Sequence, residues 1–257
     1  MAHVMAISNL KGGVAKTTTC YSLSASLAEA GMKVLAVDMD SQANLTMAAG
    51  LDPEKLDETI VELLVSELAK KPYDIQAILQ NTTVDGLKIL PSDVRLAGLE
   101  RRLYDFQGYE YLLKRILGPD DAGYDMILMD CPPSLSAMTL IALTAADEVL
   151  IPAQCEYYAA KGLERLLYII EVVRQKTNPK VSVSILPSMY DQRNRISRMV
   201  LSQLRQAFPK IVLDHVISVD TKLREAPAFG VPVTEYAPDS RAAEQFRGLA
   251  AEIIEKY

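Results

Sequence analysis

Close to its start the chain reads Lys11-Gly12-Gly13-Val14-Ala15-Lys16-Thr17-Thr18, a run whose residue types suit a polyphosphate. Gly12 and Gly13 allow positive φ and let backbone N–H groups approach an anion closely. Lys16 is placed to reach β- and γ-phosphates, and the Thr17 hydroxyl to ligate Mg²⁺. The whole stretch from Lys11 to Thr18, with Val14, Ala15 and Thr18 included, is the expected nucleotide cradle. Ala15 stands where a glycine would be usual. A methyl group there is intolerable if the backbone needs φ > 0. The expectation is that Ala15 already turns into the following helix, so that nucleotide binding persists while turnover is slow.

Two later runs end in carboxylates. "VLAVDMDSQANLT" carries Asp38 and Asp40 at the end of an apolar stretch, and strand alternation starts them on one side. One would anchor the outer shell of a metal and the other would meet the attacking water. "MILMDCPPS" ends in Asp130, which is suited to holding Mg²⁺ through water. Thr17, Asp40 and Asp130 are the candidate metal set, and Lys11, Lys16 and Asp40 the candidate catalytic set.

Such a site works only if strands and helices deliver these residues to one edge. Short apolar runs at 3–8, 33–40, 87–92, 124–134, 147–153 and 180–188 alternate with helix-period segments near 16–30, 94–117, 158–176, 192–207 and 239–256. Residues 51–80 read as acidic helical pieces broken by Pro53 and Pro72. Strands with little polar alternation, separated by helices, imply an α/β fold: a predominantly parallel sheet flanked by helices on both faces. Right-handed crossovers then put ligands at the carboxyl ends of the strands, where the motifs fall. No linker, repeat or low-complexity run interrupts the pattern, so residues 1–257 are expected to form a single domain.

Composition narrows the function. With two histidines, His3 and His215, a histidine-based metal site or triad is disfavoured. Cys20, Cys131 and Cys155 are far apart, as in a reducing cytoplasm, and Cys131 reads as a small buried residue. Tyr157 and Tyr158 read as packing residues. The net charge is −6, which argues against nucleic acid globally but leaves room for a local basic face. From Gln192 to Lys210 there are five basic residues and no acidic one. Helical spacing groups Arg195, Arg198 and Arg205 opposite Ile196, Val200, Leu204 and Ala207. Lys222 and Arg224 follow. By charge pattern alone this is most simply a solvated helix face.

The stretches "NLKGGVAKTTT", "VLAVDMDSQANLT", "YDMILMDCPPSLSAMTLIALTAADEVLIPAQCEYYAAKGL" and "LREAPAFGVPVTEYAPDSRAAEQF" resemble the ParA family of deviant Walker A partition ATPases, within the SIMIBI-type P-loop class. The likeness is strongest to the Soj-like branch. It implies that Lys11 reaches across an ATP-sandwich homodimer to the partner's phosphates, that Asp40 is needed for hydrolysis, and that Asp130 is the Walker B carboxylate. It also implies adenine contacts near Met189 and Pro232, and non-specific double-stranded DNA binding through Arg193 and Lys222, with Arg195, Arg198 and Arg224 beside them. The implied cofactors are ATP and Mg²⁺, and the implied partner is a ParB-like or other small basic activator that stimulates slow hydrolysis. The implied location is cytoplasmic and nucleoid-associated, serving chromosome, plasmid or other cargo. The alternatives are a nucleotide-dependent DNA-binding scaffold with negligible hydrolysis, for which Ala15 is the motive, and a MinD-like membrane switch. The ending "FRGLAAEIIEKY" is not basic enough to favour the latter.

Overall fold

The computed structural model describes residues 2–118, 123–156 and 159–257; the Tyr157-Tyr158 pair lies outside them. Among the described residues, seven strands form one sheet in the order β3-β4-β2-β5-β1-β6-β7. They are β1 (His3–Ile7), β2 (Val34–Asp38), β3 (Gln80–Asn81), β4 (Leu87–Leu90), β5 (Met126–Asp130), β6 (Glu148–Gln154) and β7 (Ser182–Ser188). The strands pair in parallel except for the short β3, which lies antiparallel to β4. That edge strand has only two residues, too few to register as an apolar run in the sequence.

Parallel strands buried on both sides must be apolar at successive positions, and their alternation sorts the core into two halves. Val4, Leu35, Val37, Ile127 and Met129 face one cluster, while Met5, Ile7, Val34, Ala36 and Leu128 face the other. The first half is covered by α3 (Ile60–Leu68), α5 (Arg95–Leu103), α6 (Leu112–Leu117), α7 (Ala137–Ala145), α8 (Ala159–Lys176) and α9 (Arg195–Ala207). The second is covered mainly by α1 (Lys16–Glu29) and α12 (Arg241–Lys256). Smaller pieces join this side: α2 (Asn44–Ala48), α10 (Lys222–Glu225) and α11 (Val233–Tyr236); α4 (Ile75–Ile78) belongs to the other. Helix α1 is buried on nearly every side, and its Ser22, Ser24, Ala25, Ser26 and Ala28 are small enough for α12 to pack closely.

The helix α7 was not expected from the sequence. Its nine residues, AMTLIALTA, carry no polar stripe because the helix is enclosed, so helical periodicity is invisible. Elsewhere the breakers act locally. The 94–117 segment divides where Gly108 takes φ 75°, and the acidic segment after residue 51 divides into pieces capped by Asp52, Thr59 and Asp74. Thr59 and Glu62 form a reciprocal capping box at α3. No helix among the described residues is long and apolar enough to cross a membrane.

Candidate functional site: a phosphate loop at the carboxyl edge of the sheet

Strand register brings the chemistry together. Ile7 of β1 pairs with Asp130 of β5, and Asp130 pairs with Asp38 of β2, so the chain leaves three neighbouring strands along one row. From Ile7 it runs through the glycine loop into α1. Gly13 adopts φ 73°, and the helix geometry leaves the N–H groups of Lys16, Thr17 and Thr18 without intrahelical acceptors. The first helical bond runs from Thr19 N–H to the Ala15 carbonyl at 2.8 Å.

Ala15 corrects the sequence reading. It does not turn into the helix but sits in the left-handed region at φ 68°, ψ 33°, a conformation that disfavours a Cβ by about 1–2 kcal/mol. Local helix propensity could not reveal this, because the loop must reverse direction to aim consecutive N–H groups at one point.

Lys16 is 8% exposed, and its Nζ donates to the Lys11 carbonyl at 3.2 Å. Burial lowers its pKa, against the attraction of Asp130, Cys131 and Asp40. The Thr17 hydroxyl donates to Asp130 Oδ2 at 2.6 Å. Asp130 Oδ1 is buried with no partner. Burial, reinforced by Asp38, pushes the Asp130 carboxyl well above the usual carboxylate range despite Thr17 and Lys16. Burial likewise pushes the Cys131 thiol upward, so it is a protonated packing residue on the cavity wall.

Asp38 and Asp40 part company. Strand β2 ends at Asp38, so the alternation that was to align the two carboxylates stops there. Asp38 is fully buried and accepts bonds from Thr46 N–H (2.9 Å), Thr46 Oγ1 (2.8 Å) and Asp40 N–H (3.1 Å). Burial raises it to about 6 even so. Its work is to fasten the loop that carries Asp40. Asp40 lies on the cavity wall and accepts the Gln42 N–H at 3.0 Å through Oδ1.

A cavity of about 380 Å³ joins these groups, walled by Gly12, Lys16, Thr17, Asp40, Pro133 and Pro232 among others. A second of about 240 Å³ is lined by Met189, Ile217, Ser218, Arg224 and Phe246. The two share Gly13, Ala15, Thr18 and Leu223. Met189 and Pro232, paired in the sequence reading, therefore stand on different cavities either side of Leu223, and Val14 is buried beneath the loop. Among the described residues no three His, Cys, Asp or Glu side chains form a metal cluster. A hard cation here would need Thr17 and phosphate oxygens, and the orphaned Asp130 Oδ1 suits the water shell of such an ion.

Lys11 is absent from both cavity walls. Its Nζ bonds Gln154 Oε1 at 2.8 Å and Glu156 Oε2 at 3.3 Å. Sequence reading missed Gln154, Glu156 and Asn9, whose amide donates to the Pro152 carbonyl at 2.8 Å and accepts Lys11 N–H at 3.0 Å. The signal that found Asp130, a polar residue at the end of a buried strand, applies to Gln154 as well.

The basic segments begin side by side, because Tyr190 bridges Ser218 and Val219 N–H donates to the Tyr190 carbonyl at 3.0 Å. The expected face of α9 is only partly right. Its buried side is Ser197, Val200 and Leu204, whereas Ile196 is 48% exposed and Ala207 is also exposed. Arg193 pairs with Asp191 at 3.0 Å, and Lys222 pairs with Glu225 at 2.8 Å and lies over the Tyr236 ring. Arg205 reaches the Asp214 carbonyl and Arg198 the Gln192 carbonyl. Arg195 is exposed, and Arg224 stands at the second cavity.

The family model described as an AAA domain matches residues 2–183. The sporulation initiation inhibitor protein Soj of Bacillus subtilis is 39% identical over 98% of this chain and 98% of its own. The chromosome partitioning protein ParA of Myxococcus xanthus is 39% identical over the whole of this chain and 89% of its own. Among solved structures, a protein titled cobyrinic acid a,c-diamide synthase from Mycobacterium smegmatis, with bound ATP analogue and magnesium, superimposes with a TM-score of 0.85. It is 36% identical over 99% of this chain and 95% of that one.

Proposed function

The chain belongs to the Soj/ParA family of partition ATPases, and from that premise we propose that it is a Mg²⁺-dependent ATPase switch. In this reading ATP joins two copies, the joined form holds double-stranded DNA without sequence preference, and a small basic ParB-like partner stimulates the hydrolysis that resets it. The observation that carries the reading is the convergence of Lys16, Asp40 and Thr17, the last bonded to the buried Asp130, on one cavity at the end of the sheet.

The phosphate loop binds: N–H groups from Gly12 to Thr18 and the buried Lys16 ammonium surround the triphosphate, and burial strengthens each contact. Thr17 and Asp130 would hold Mg²⁺, which would supply positive charge to offset the charge that develops on the phosphates. Asp40 orients the attacking water and accepts its proton, and Asp38 holds the Asp40 loop in place. Lys11 is the cation supplied to the second copy's phosphates, which ties nucleotide to association. Met189 and Pro232 flank the base on the two sides of Leu223.

DNA contacts come from Arg193, Arg195, Arg198, Lys222 and Arg224, directed at phosphates and so weakened by salt. Such a cycle places the protein in the cytoplasm on the nucleoid, carrying a chromosome, plasmid or other cargo. Calorimetry with ATP and Mg²⁺ should show binding that Lys16→Ala loses by 100-fold or more. Size-exclusion runs should show a dimer with ATP and a monomer with ADP, and the same profile in both would sink the switch. Arg193→Glu or Lys222→Glu should abolish ATP-dependent retention on DNA with ATP binding intact. Retention by the wild type that ignores rising salt would contradict phosphate contacts.

A further inference from the structure

The proposed role of Lys11 demands an ammonium free to leave its own subunit, yet here it is held. Asn9 pins the start of the loop to the Pro152 carbonyl, and the same side chain accepts Lys11 N–H. The lysine side chain then runs along the end of β6 to Gln154 and Glu156. Gln154 Nε2 donates to Glu156 Oε1 at 2.6 Å, which holds the two acceptors side by side. The pair is open to solvent, with Lys11 41% and Glu156 59% exposed at the side chain. It is therefore weak enough to open but real enough to compete.

We propose that Gln154 and Glu156 are positioning residues: a clip that keeps Lys11 off the phosphate site until a second copy's triphosphate outbids Glu156 for the ammonium. This rests on the reading that Lys11 acts on the partner's nucleotide. The clip has three consequences. Two clips open for each dimer formed, so their effect is squared in the association constant. Nucleotide binding to one subunit is untouched, because Lys11 lines neither cavity. A triphosphate, carrying more negative charge than a diphosphate, competes better with one carboxylate, so the clip sharpens the distinction between ATP and ADP.

Association is followed by light scattering across a protein dilution series with ATPγS and Mg²⁺. An exposed pair contributes a factor of roughly 2 to 5, so two make association in Glu156→Ala roughly 4- to 25-fold tighter. Glu156→Gln, which keeps an acceptor but no charge, falls between, and Glu156→Asp lies nearest the wild type. Gln154→Ala moves in the same direction as Glu156→Ala. Monomer affinity for ATPγS stays unchanged in all four. Association of Glu156→Ala that is equal to or weaker than wild type, with Lys11→Ala unable to associate, overturns the clip and leaves the Lys11 reading standing. Lys11→Ala associating as well as wild type overturns both.

Discussion

The sheet buries carboxylates at both ends, and Glu148 and Asp130 are treated in opposite ways. At the amino end Glu148 is fully buried but surrounded: Lys256, Ser184 and Tyr257 donate to it, and His3 stands 3.6 Å away, stacked on Tyr257. Burial by itself would raise this carboxyl, yet His3, Lys256, Ser184 and Tyr257 together bring it down to about 2. At the carboxyl end Asp130 has Thr17 and an oxygen with no donor, and burial wins. A satisfied carboxylate ties the final residues of the chain to the sheet. An unsatisfied one is a standing demand for positive charge, which is what a site for a metal-bound triphosphate requires.

The sharpest way to break this contrast is to remove each carboxylate. Glu148→Ala leaves the buried Ser184 hydroxyl without its acceptor and should destabilise the fold by about 1–3 kcal/mol in urea unfolding, with nucleotide affinity unchanged. Asp130→Asn should leave nucleotide-free stability equal or higher, while turnover with ATP and Mg²⁺ falls at least 100-fold. A large loss of stability in Asp130→Asn would mean that its burial is compensated in a way the hydrogen bonds do not reveal.

Acid titration should separate the two ends next. Glu148 has a folded pKa below its unfolded value, so its contribution is present above about 4.5 and is lost as pH falls toward about 2. Asp38 has a raised folded pKa of about 6 against 3.8, so its contribution is present below about 4 and is lost as pH rises through about 6. Each arm is on the order of 2–3 kcal/mol. Urea midpoints of Glu148→Gln should lose the acid arm, and those of Asp38→Asn the arm between 4 and 6; retention of either arm in its variant misassigns that carboxylate.

The smallest effect belongs to Ala15. Ala15→Gly relieves the left-handed strain but frees the unfolded chain, so the net gain should be under about 1 kcal/mol. In a thermal melt that is a rise of roughly 2 °C. Ala15→Val, which cannot hold φ 68° without larger strain, should lower both stability and ATP affinity.

Much of the site was legible because it is local. Lys16 and Thr17 follow a strand and open a helix within one short stretch, and Asp130 ends a buried strand, so type and spacing alone single them out as candidates. The same holds for the alternation of parallel strands and helices. Legibility failed where two elements meet. Asp38 and Asp40 looked equivalent until the end of β2 and the bonds from Thr46 gave one to the fold and the other to the cavity. Helix α7 is hidden because uniform burial erases periodicity. Arg193 and Lys222, which the resemblance implies as DNA contacts, are paired in the fold with Asp191 and Glu225, residues the sequence reading did not connect to them.

The amino-acid sequence by itself determined the order of the six longer strands and of the long helices other than α7, the phosphate loop and the carboxylate at the end of β5, because these depend on neighbours within a few residues. Tertiary structure alone decided the left-handed turn at Ala15, the row joining Ile7, Asp130 and Asp38, and the capture of Lys11 by Gln154 and Glu156. The strand row and the Lys11 contacts join partners distant along the chain, and the turn at Ala15 comes from the loop reversing direction; no local pattern records either.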